Sequence, residues 1–154
     1  MRYALMNKER IAIGSDHRGY ALKNVLVGRI NTVFWFDSGA YDAQPSDYPI
    51  YATKVRDMIV QKEVDRGILL CGSGIGMTVM ANRFEGIYAA LVWNKEVAVQ
   101  SRSHDNTNVL VLPADYMSHE QALEVVALWL ATPFSAKERY KKRIAEIDIF
   151  SRRV

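Results

Sequence analysis

One segment of this chain joins a nucleophile to a backbone able to hold an anion. Cys71-Gly72-Ser73-Gly74-Ile75-Gly76 places the sole cysteine at the head of a run with glycine at every second position. Gly72, Gly74 and Gly76 let the backbone turn tightly and bring its N–H groups toward a bound anion. A helix starting at Ile75 would aim its positive end at the same spot, and Ser73 adds a hydroxyl donor. A helix N-terminus favours the thiolate form of a nearby cysteine. A thiolate beside an oxyanion cradle can take a proton from carbon, provided the donors hold the enediolate that develops. The plain alternative is a glycine turn around a small buried cysteine. No Gly-Lys-Ser/Thr follows, so this is not a Walker-type loop.

Other polar groups fall in short bursts. Ser15-Asp16-His17 follows an apolar run, where Asp16 could equally be a helix cap and His17 a solvated neighbour. Asp47-Tyr48 ends a stretch of Ser, Gly, Pro and Asp. His104-Asp105-Asn106-Thr107-Asn108 sets five polar side chains before an apolar strand, with a surface turn as the alternative. Arg139 and Arg143 are four apart on a helical stretch and share a face, which suits either a phosphate clamp or a solvated basic surface beside Lys137, Lys141 and Lys142. His119 reads as a helix-start residue, and Trp93 and Trp129 as core or interface.

The elements that must position these groups alternate. Apolar runs at 10–14, 32–36, 67–71, 87–92 and 109–112 read as strands. Helical periods cover 20–30, with apolar positions 21, 22, 25, 26 and 30, then 50–62, 75–84, 95–102, 119–130 and 135–150. Five successive β–α units imply an α/β, Rossmann-like three-layer sandwich: a five-stranded parallel sheet, helices on both faces and an extra C-terminal helix. The first β–α turn lacks the glycine fingerprint of dinucleotide binders. Ligands of open parallel sheets bind at the carboxyl ends of the strands, where Asp16, His17, Tyr48 and the Cys71 loop are delivered. His104 precedes the fifth strand and so lies at the amino edge, away from Cys71 of the same chain. If it is catalytic, it most simply serves a neighbouring molecule's site. The last helix shows Ile144, Ile147 and Phe150 at helical spacing and is expected at a subunit interface.

Composition bounds the rest. A chain of 154 residues, 49% apolar and 24% charged, is expected to form a single domain over 1–154, with 1–9 as an N-terminal extension. One cysteine excludes an internal disulfide and any multi-cysteine metal cage. The net charge of +3 is uneven: 135–154 holds seven Lys/Arg against three Asp/Glu. A basic tail fits a small anion or a partner subunit better than nucleic acid, which calls for a basic stripe with aromatic platforms. The longest apolar stretch, 86–93, is far short of a membrane span, and the first eight residues contain no apolar signal region. A cytoplasmic protein that neither binds nucleic acid nor enters the membrane is expected.

Gly14-Ser15-Asp16-His17, Ser46-Asp47-Tyr48-Pro49, the Cys71–Gly76 loop, Ser101-Arg102-Ser103-His104 leading to Asn108-Val109-Leu110, and Arg139 with Arg143 occur in one order along the chain. In that order they resemble the ribose/galactose-phosphate isomerase family, and within it the type B ribose-5-phosphate isomerases, over residues 10–150. The resemblance implies interconversion of an aldose and a ketose phosphate without metal or organic cofactor. It makes Cys71 the base that moves a proton between C2 and C1, and Ser73 with the N–H groups of Gly72, Gly74, Ile75 and Gly76 the enediolate cradle. It gives His104 ring opening, Asp16 and Tyr48 contacts to the sugar, and His17, Arg139 and Arg143 contacts to the phosphate, with Asp105 beside the substrate. It also implies a homodimer or tetramer whose sites are shared between subunits. Three departures stand out. Asp105 replaces the usual asparagine and cannot donate as an amide does. Asp115 stands where an arginine commonly meets the phosphate. Met77 stands where a second branch carries a glutamate base. The first two keep open an isomerase of another aldose phosphate, such as allose or galactose 6-phosphate. A non-catalytic sugar-phosphate-binding protein is the third reading.

Overall fold

Short strands that are apolar on both sides can be satisfied only if both faces of their sheet are covered. The computed structural model describes residues 8–151 and shows that arrangement. In chain order the elements are β1 (Arg10–Ser15), α1 (Tyr20–Arg29), β2 (Phe34–Asp37), α2 (Tyr48–Val60), β3 (Arg66–Cys71), α3 (Ile75–Ala81), β4 (Ala89–Leu91), α4 (Lys95–Ser103), β5 (Val109–Pro113), a 3-10 turn (Ala114–Tyr116), α5 (His119–Ala131) and α6 (Glu138–Ser151). The strands form one parallel sheet in the order β2-β1-β3-β5-β4. Side chains alternate between its faces. Ile11, Ile13, Ile68, Leu70, Leu110 and Leu112 meet Leu22 and Leu26 of α1 and Val125 and Trp129 of α5. Ala12, Leu69, Cys71, Val109 and Val111 meet Ala52 and Val55 of α2 and Met77 and Ala81 of α3. No helix among the described residues is long and apolar enough to cross a membrane.

From β1 the chain moves to the β2 edge, and from β3 it moves the other way. The topological switch therefore lies between β1 and β3, where such sheets open a crevice at the strand carboxyl ends. Register places Ser15 beside Leu70 and Cys71 beside Pro113, so the loops that follow β1, β3 and β5 converge there.

The sequence reading holds for element type and shifts at several boundaries. Helix α2 begins at Tyr48 rather than 50, because Pro49 occupies the first turn, where a missing N–H costs nothing. Helix α6 begins at Glu138 rather than 135, because Ala136 sits at φ +53°, outside helical space. Helix α3 ends at Ala81 and β4 keeps only three paired residues. At the end of the expected 1–9 extension, Glu9 is tied to the domain: it accepts from the Phe34 amide at 2.8 Å and its carboxylate pairs with the Arg66 guanidinium. Residues 1–7 of that extension lie outside the described residues.

In α1 the buried stripe is Leu22, Lys23 and Leu26, whereas Ala21 is exposed. Lys23 is fully buried, and its Nζ donates to Asp37 Oδ2 and to the Ala40 carbonyl, each at 2.7 Å. The same stretch is sewn to the end of β1: Ser15 donates its N–H to Gly39 O, and Ala40 donates to Ser15 O, both at 2.6 Å. One buried cation thus fixes the segment that leads from β2 toward Ser46 and Tyr48. Asp37→Ala leaves that charge unpaired and is expected to destabilise the protein by about 3–5 kcal/mol, read from urea denaturation midpoints. A loss below about 1 kcal/mol would show that the pair does not hold this loop.

Candidate active site

At the carboxyl edge, three loops meet. Asp16 is buried, and its Oδ1 accepts from the amides of Arg18 at 3.0 Å and Gly19 at 3.1 Å. Its own N–H donates to Leu70 O at 3.3 Å, tying the β1–α1 loop to β3. One carboxylate oxygen is therefore structural, as the capping alternative has it, and Oδ2 accepts no hydrogen bond from the described residues. His17 is half-buried, and its Nδ1 lies 3.1 Å from the Ser46 amide nitrogen and 3.2 Å from the Ser46 carbonyl oxygen. Ser46 engages Nδ1, so Nε2 is the ring nitrogen left to face an anion, and it donates in the tautomer or protonation state that carries its hydrogen.

The Cys71 loop is shaped by what surrounds it. Gly74 caps α3 in a left-handed conformation with φ +76°. A Cβ on Gly76 would lie 2.6 Å from Cζ of Tyr48, so the aromatic ring rests on the backbone there. A Cβ on Gly72 would lie 2.5 Å from the guanidinium carbon of Arg18. Ser73 is half-buried; its Oγ accepts from the Ile75 amide at 3.3 Å, leaving the hydroxyl hydrogen free to donate. Among the described residues the amides of Ser73 and Gly74 find no acceptor, so they are open to an oxyanion. Cys71 itself is 5% exposed and packs in the apolar layer of α2 and α3, more enclosed than a position on the cradle rim.

A second polar group forms at the opposite edge. His104 caps the end of α4, its N–H donating to Gln100 O at 2.8 Å. Its ring stacks on that of Tyr140, with centroids 4.4 Å apart and planes 18° from parallel. Arg139 lies over the same tyrosine ring and donates from Nη2 to its hydroxyl at 3.0 Å. Arg143 is exposed one turn further along α6. Ser135 donates its N–H to Ser103 O at 3.0 Å, closing the start of α6 onto the end of α4. The turn after His104 is held by Arg102, which donates to Asn106 Oδ1 at 3.0 Å and to the Thr107 carbonyl. Burial, with Arg66 nearby, lowers the Arg102 pKa from the usual guanidinium value. Asp105 is exposed and borders a groove with Tyr88, Ile147 and Asp148, on the α6 side of this group. Asn108 is structural: its side chain accepts from the Tyr88 amide and donates to Gly86 O, both at 2.8 Å.

The structure thus gathers Asp16, His17, Tyr48 and the loop from Cys71 to Gly76 at one edge, and His104, Arg139 and Arg143 at the other. It does not bring the two groups together within one chain. Val109 pairs with Gly67, and Pro113 with Cys71, so the length of β3 separates them, about 13 Å at the usual strand rise. Arg18, which the sequence reading passes over, joins the first group through an ion pair with Asp115. The acidic departure at 115 was the available signal, because a carboxylate at an anion site calls for a compensating cation. Among the described residues no cluster of three or more His, Cys, Asp or Glu is placed to hold a metal ion.

Residues 11–147 match the family model described as Ribose/Galactose Isomerase. The chain is 35% identical over 147 residues to ribose-5-phosphate isomerase B of Escherichia coli K12, covering 94% of this chain and 98% of that one. Among solved structures it is similar to a ribose 5-phosphate isomerase of Thermotoga maritima, with a TM-score of 0.89, 42% identity, and 92% and 98% of the two chains covered. It is also similar to ribose-5-phosphate isomerase B of Mycoplasma genitalium, whose structure holds bound ribulose 5-phosphate. That match has a TM-score of 0.87, 33% identity, and coverage of 94% and 97%.

The His104–Tyr140 stack can be tested without any assay of function. The tyrosine ring current shifts the His104 Cε1 proton upfield in the nuclear magnetic resonance spectrum. Tyr140→Leu keeps an apolar side chain in the packing and is expected to return that resonance to the position of an unstacked histidine. No movement of the resonance would contradict the stacking.

Proposed function

The chain belongs to the ribose/galactose isomerase family, and from that premise we propose that it interconverts ribose 5-phosphate and ribulose 5-phosphate through an enediolate. The observation that carries the reading is the Cys71 loop. A single thiol ends β3, and unpartnered amides and a free hydroxyl hydrogen follow it within three residues. Met77 fills the position of the glutamate base of the second branch, which leaves Cys71 as the base.

The main obstacle is the weak acidity of a C–H bond beside a carbonyl. The Cys71 thiolate takes the proton from C2 of the open-chain aldose. The C–H electron pair becomes the C1–C2 double bond, and the carbonyl electrons move onto O1. The developing charge falls on the Ser73 hydroxyl and the amides of the loop. The thiol then returns its proton to C1 while the O2 proton passes to O1, giving the ketose. One donor of such a cradle is worth about 2.7–4 kcal/mol of barrier. Burial of Cys71 among Ala52, Val55 and Met77 keeps bulk water from the sulfur, so the thiol proton is returned to substrate rather than lost. Asp16 Oδ2 and the Tyr48 hydroxyl hold sugar hydroxyls, and His17 Nε2 donates to the phosphate.

The furanose must open first. His104 of the partner subunit takes the anomeric proton and gives one to the ring oxygen, while Arg139 and Arg143 of that subunit hold the phosphate. Separation of the two polar groups in one chain supports this sharing and therefore a homodimer or a pair of dimers. The exposed apolar residues Ile147, Ile149 and Phe150 of α6 are consistent with such contacts.

A second reading is favoured by one observation. Asp115 places a carboxylate where the family commonly has an arginine, which suits a differently sized aldose phosphate such as allose or galactose 6-phosphate. Turnover of ribose 5-phosphate, allose 6-phosphate and galactose 6-phosphate by the purified protein separates the two. The five-carbon substrate is expected to give the highest kcat/KM, and a higher value for a six-carbon phosphate rejects the pentose assignment. Cys71→Ala is expected to lower kcat by about 10³-fold or more with the fold intact by circular dichroism. Unchanged turnover would remove the thiol from the mechanism.

A further inference from the structure

One charged pair at the carboxyl edge has no part in the chemistry above. Arg18 follows Asp16 and His17 in the β1–α1 loop, and its guanidinium pairs with the carboxylate of Asp115 in the turn after β5. The pair lies across the first glycine of the cradle. Asp115 donates its N–H to Gly72 O at 3.0 Å. A Cβ on Gly72 would stand 2.5 Å from the Arg18 guanidinium carbon and 2.7 Å from Asp115 Oδ2. The guanidinium therefore rests one residue from Cys71, and 57% of the Arg18 side chain stays exposed. Among the described residues Asp115 is its one side-chain hydrogen-bond partner. Four of the five guanidinium N–H groups remain to meet a ligand.

Charge at this edge makes that availability matter. The loops that leave β1, β2, β3 and β5 span 16–19, 38–47, 72–74 and 114–118. Arg18 is the one Lys or Arg in all four. Lys23 nearby is fully buried on Asp37 and Ala40. If Arg18 were absent, a dianionic substrate arriving here would meet the unpaired carboxylate of Asp115 alongside Asp16, Asp42 and Asp47 of the same loops, with no cation among them. With Arg18 present, the carboxylate is neutralised and also serves as a tether. It holds a planar fork of donors, whose geometry matches two phosphate oxygens, at the mouth of the cradle.

We propose that Arg18, held by Asp115, joins His17 as this subunit's ligand for the substrate phosphate and gives the site its preference for phosphorylated over free sugars. This deepens the isomerase reading and rests on it for the identity of the substrate. Arg18→Gln is expected to raise KM for ribose 5-phosphate about tenfold or more, with a smaller change in kcat. The inhibition constant for inorganic phosphate should rise by a similar factor, while any turnover of unphosphorylated ribose should not fall.

The double variant separates a ligand from a shield. If Arg18 binds phosphate, Arg18→Gln/Asp115→Asn keeps a raised KM even though the carboxylate charge is gone. If Arg18 only neutralises Asp115, the double variant returns to the wild-type KM, and the proposal is overturned. An unchanged KM in Arg18→Gln overturns it as well and leaves the isomerase reading standing. Calorimetric titration with inorganic phosphate decides the case even if the wild type turns over no pentose phosphate. Binding to the wild type that is lost in folded Arg18→Gln/Asp115→Asn supports the assignment, whereas equal binding to both, or none to the wild type, contradicts it.

Discussion

A parallel sheet has a direction, and that direction governs everything else in this molecule. All five strands deliver their carboxyl ends to one edge, so any loop that follows a strand sits there and any segment that precedes one sits opposite. Cys71 ends β3, and His104 lies ahead of β5, which is bonded to β3 along its length. No rotation of side chains brings them together within one chain. In the proposed mechanism, a second copy completes the reaction by bringing its amino edge to the first copy's carboxyl edge. The geometry of each half is already fixed in the single chain: one by hydrogen bonds from Asp16 and by glycines under Tyr48 and Arg18, the other by the stack of His104 on Tyr140.

At the carboxyl edge the residues of the proposed site also hold the fold together. Asp16 gives one carboxylate oxygen to its own loop, and its other oxygen accepts no hydrogen bond from the described residues. Ser73 accepts from Ile75 and retains its hydrogen as a donor. Cys71 is at once part of the α2 and α3 apolar layer and the last residue before the open amides. Such double duty arises because the alternation of a strand gives Cys71 a core face, whereas the loop immediately after it has none. The buried Lys23–Asp37 pair works at a distance, since it anchors the segment from which Ser46 and Tyr48 reach the site.

Much of this is legible in the residues themselves. Apolar runs such as 67–71 and 109–112 give strands wherever a doubly covered sheet needs them, and the glycine loop after Cys71 announces itself. The opposite-edge placement of His104 follows from chain order alone. What escapes is set by tertiary context. Nothing in the local sequence marks Lys23 as buried, because the loop after β2 supplies its carboxylate and its carbonyl, and those partners lie fourteen and seventeen residues away. Tyr48 reads as loop because Pro49 follows it, yet a first helical turn accepts proline. Ala136 carries no mark of its left-handed conformation. The Arg18–Asp115 pair joins residues 97 apart, and local pattern cannot register a contact of that range.

Subunit complementation tests the central claim most directly. Cys71→Ala and His104→Ala proteins, each inactive alone, are unfolded, mixed and refolded, and the hybrid is isolated by differential tags. A two-fold hybrid contains one site with both defects and one with neither, so it should recover about half the turnover of the wild-type dimer. A verified hybrid as inactive as its parents would show that thiol and imidazole do not serve one site across the interface, and the shared-site mechanism would fail.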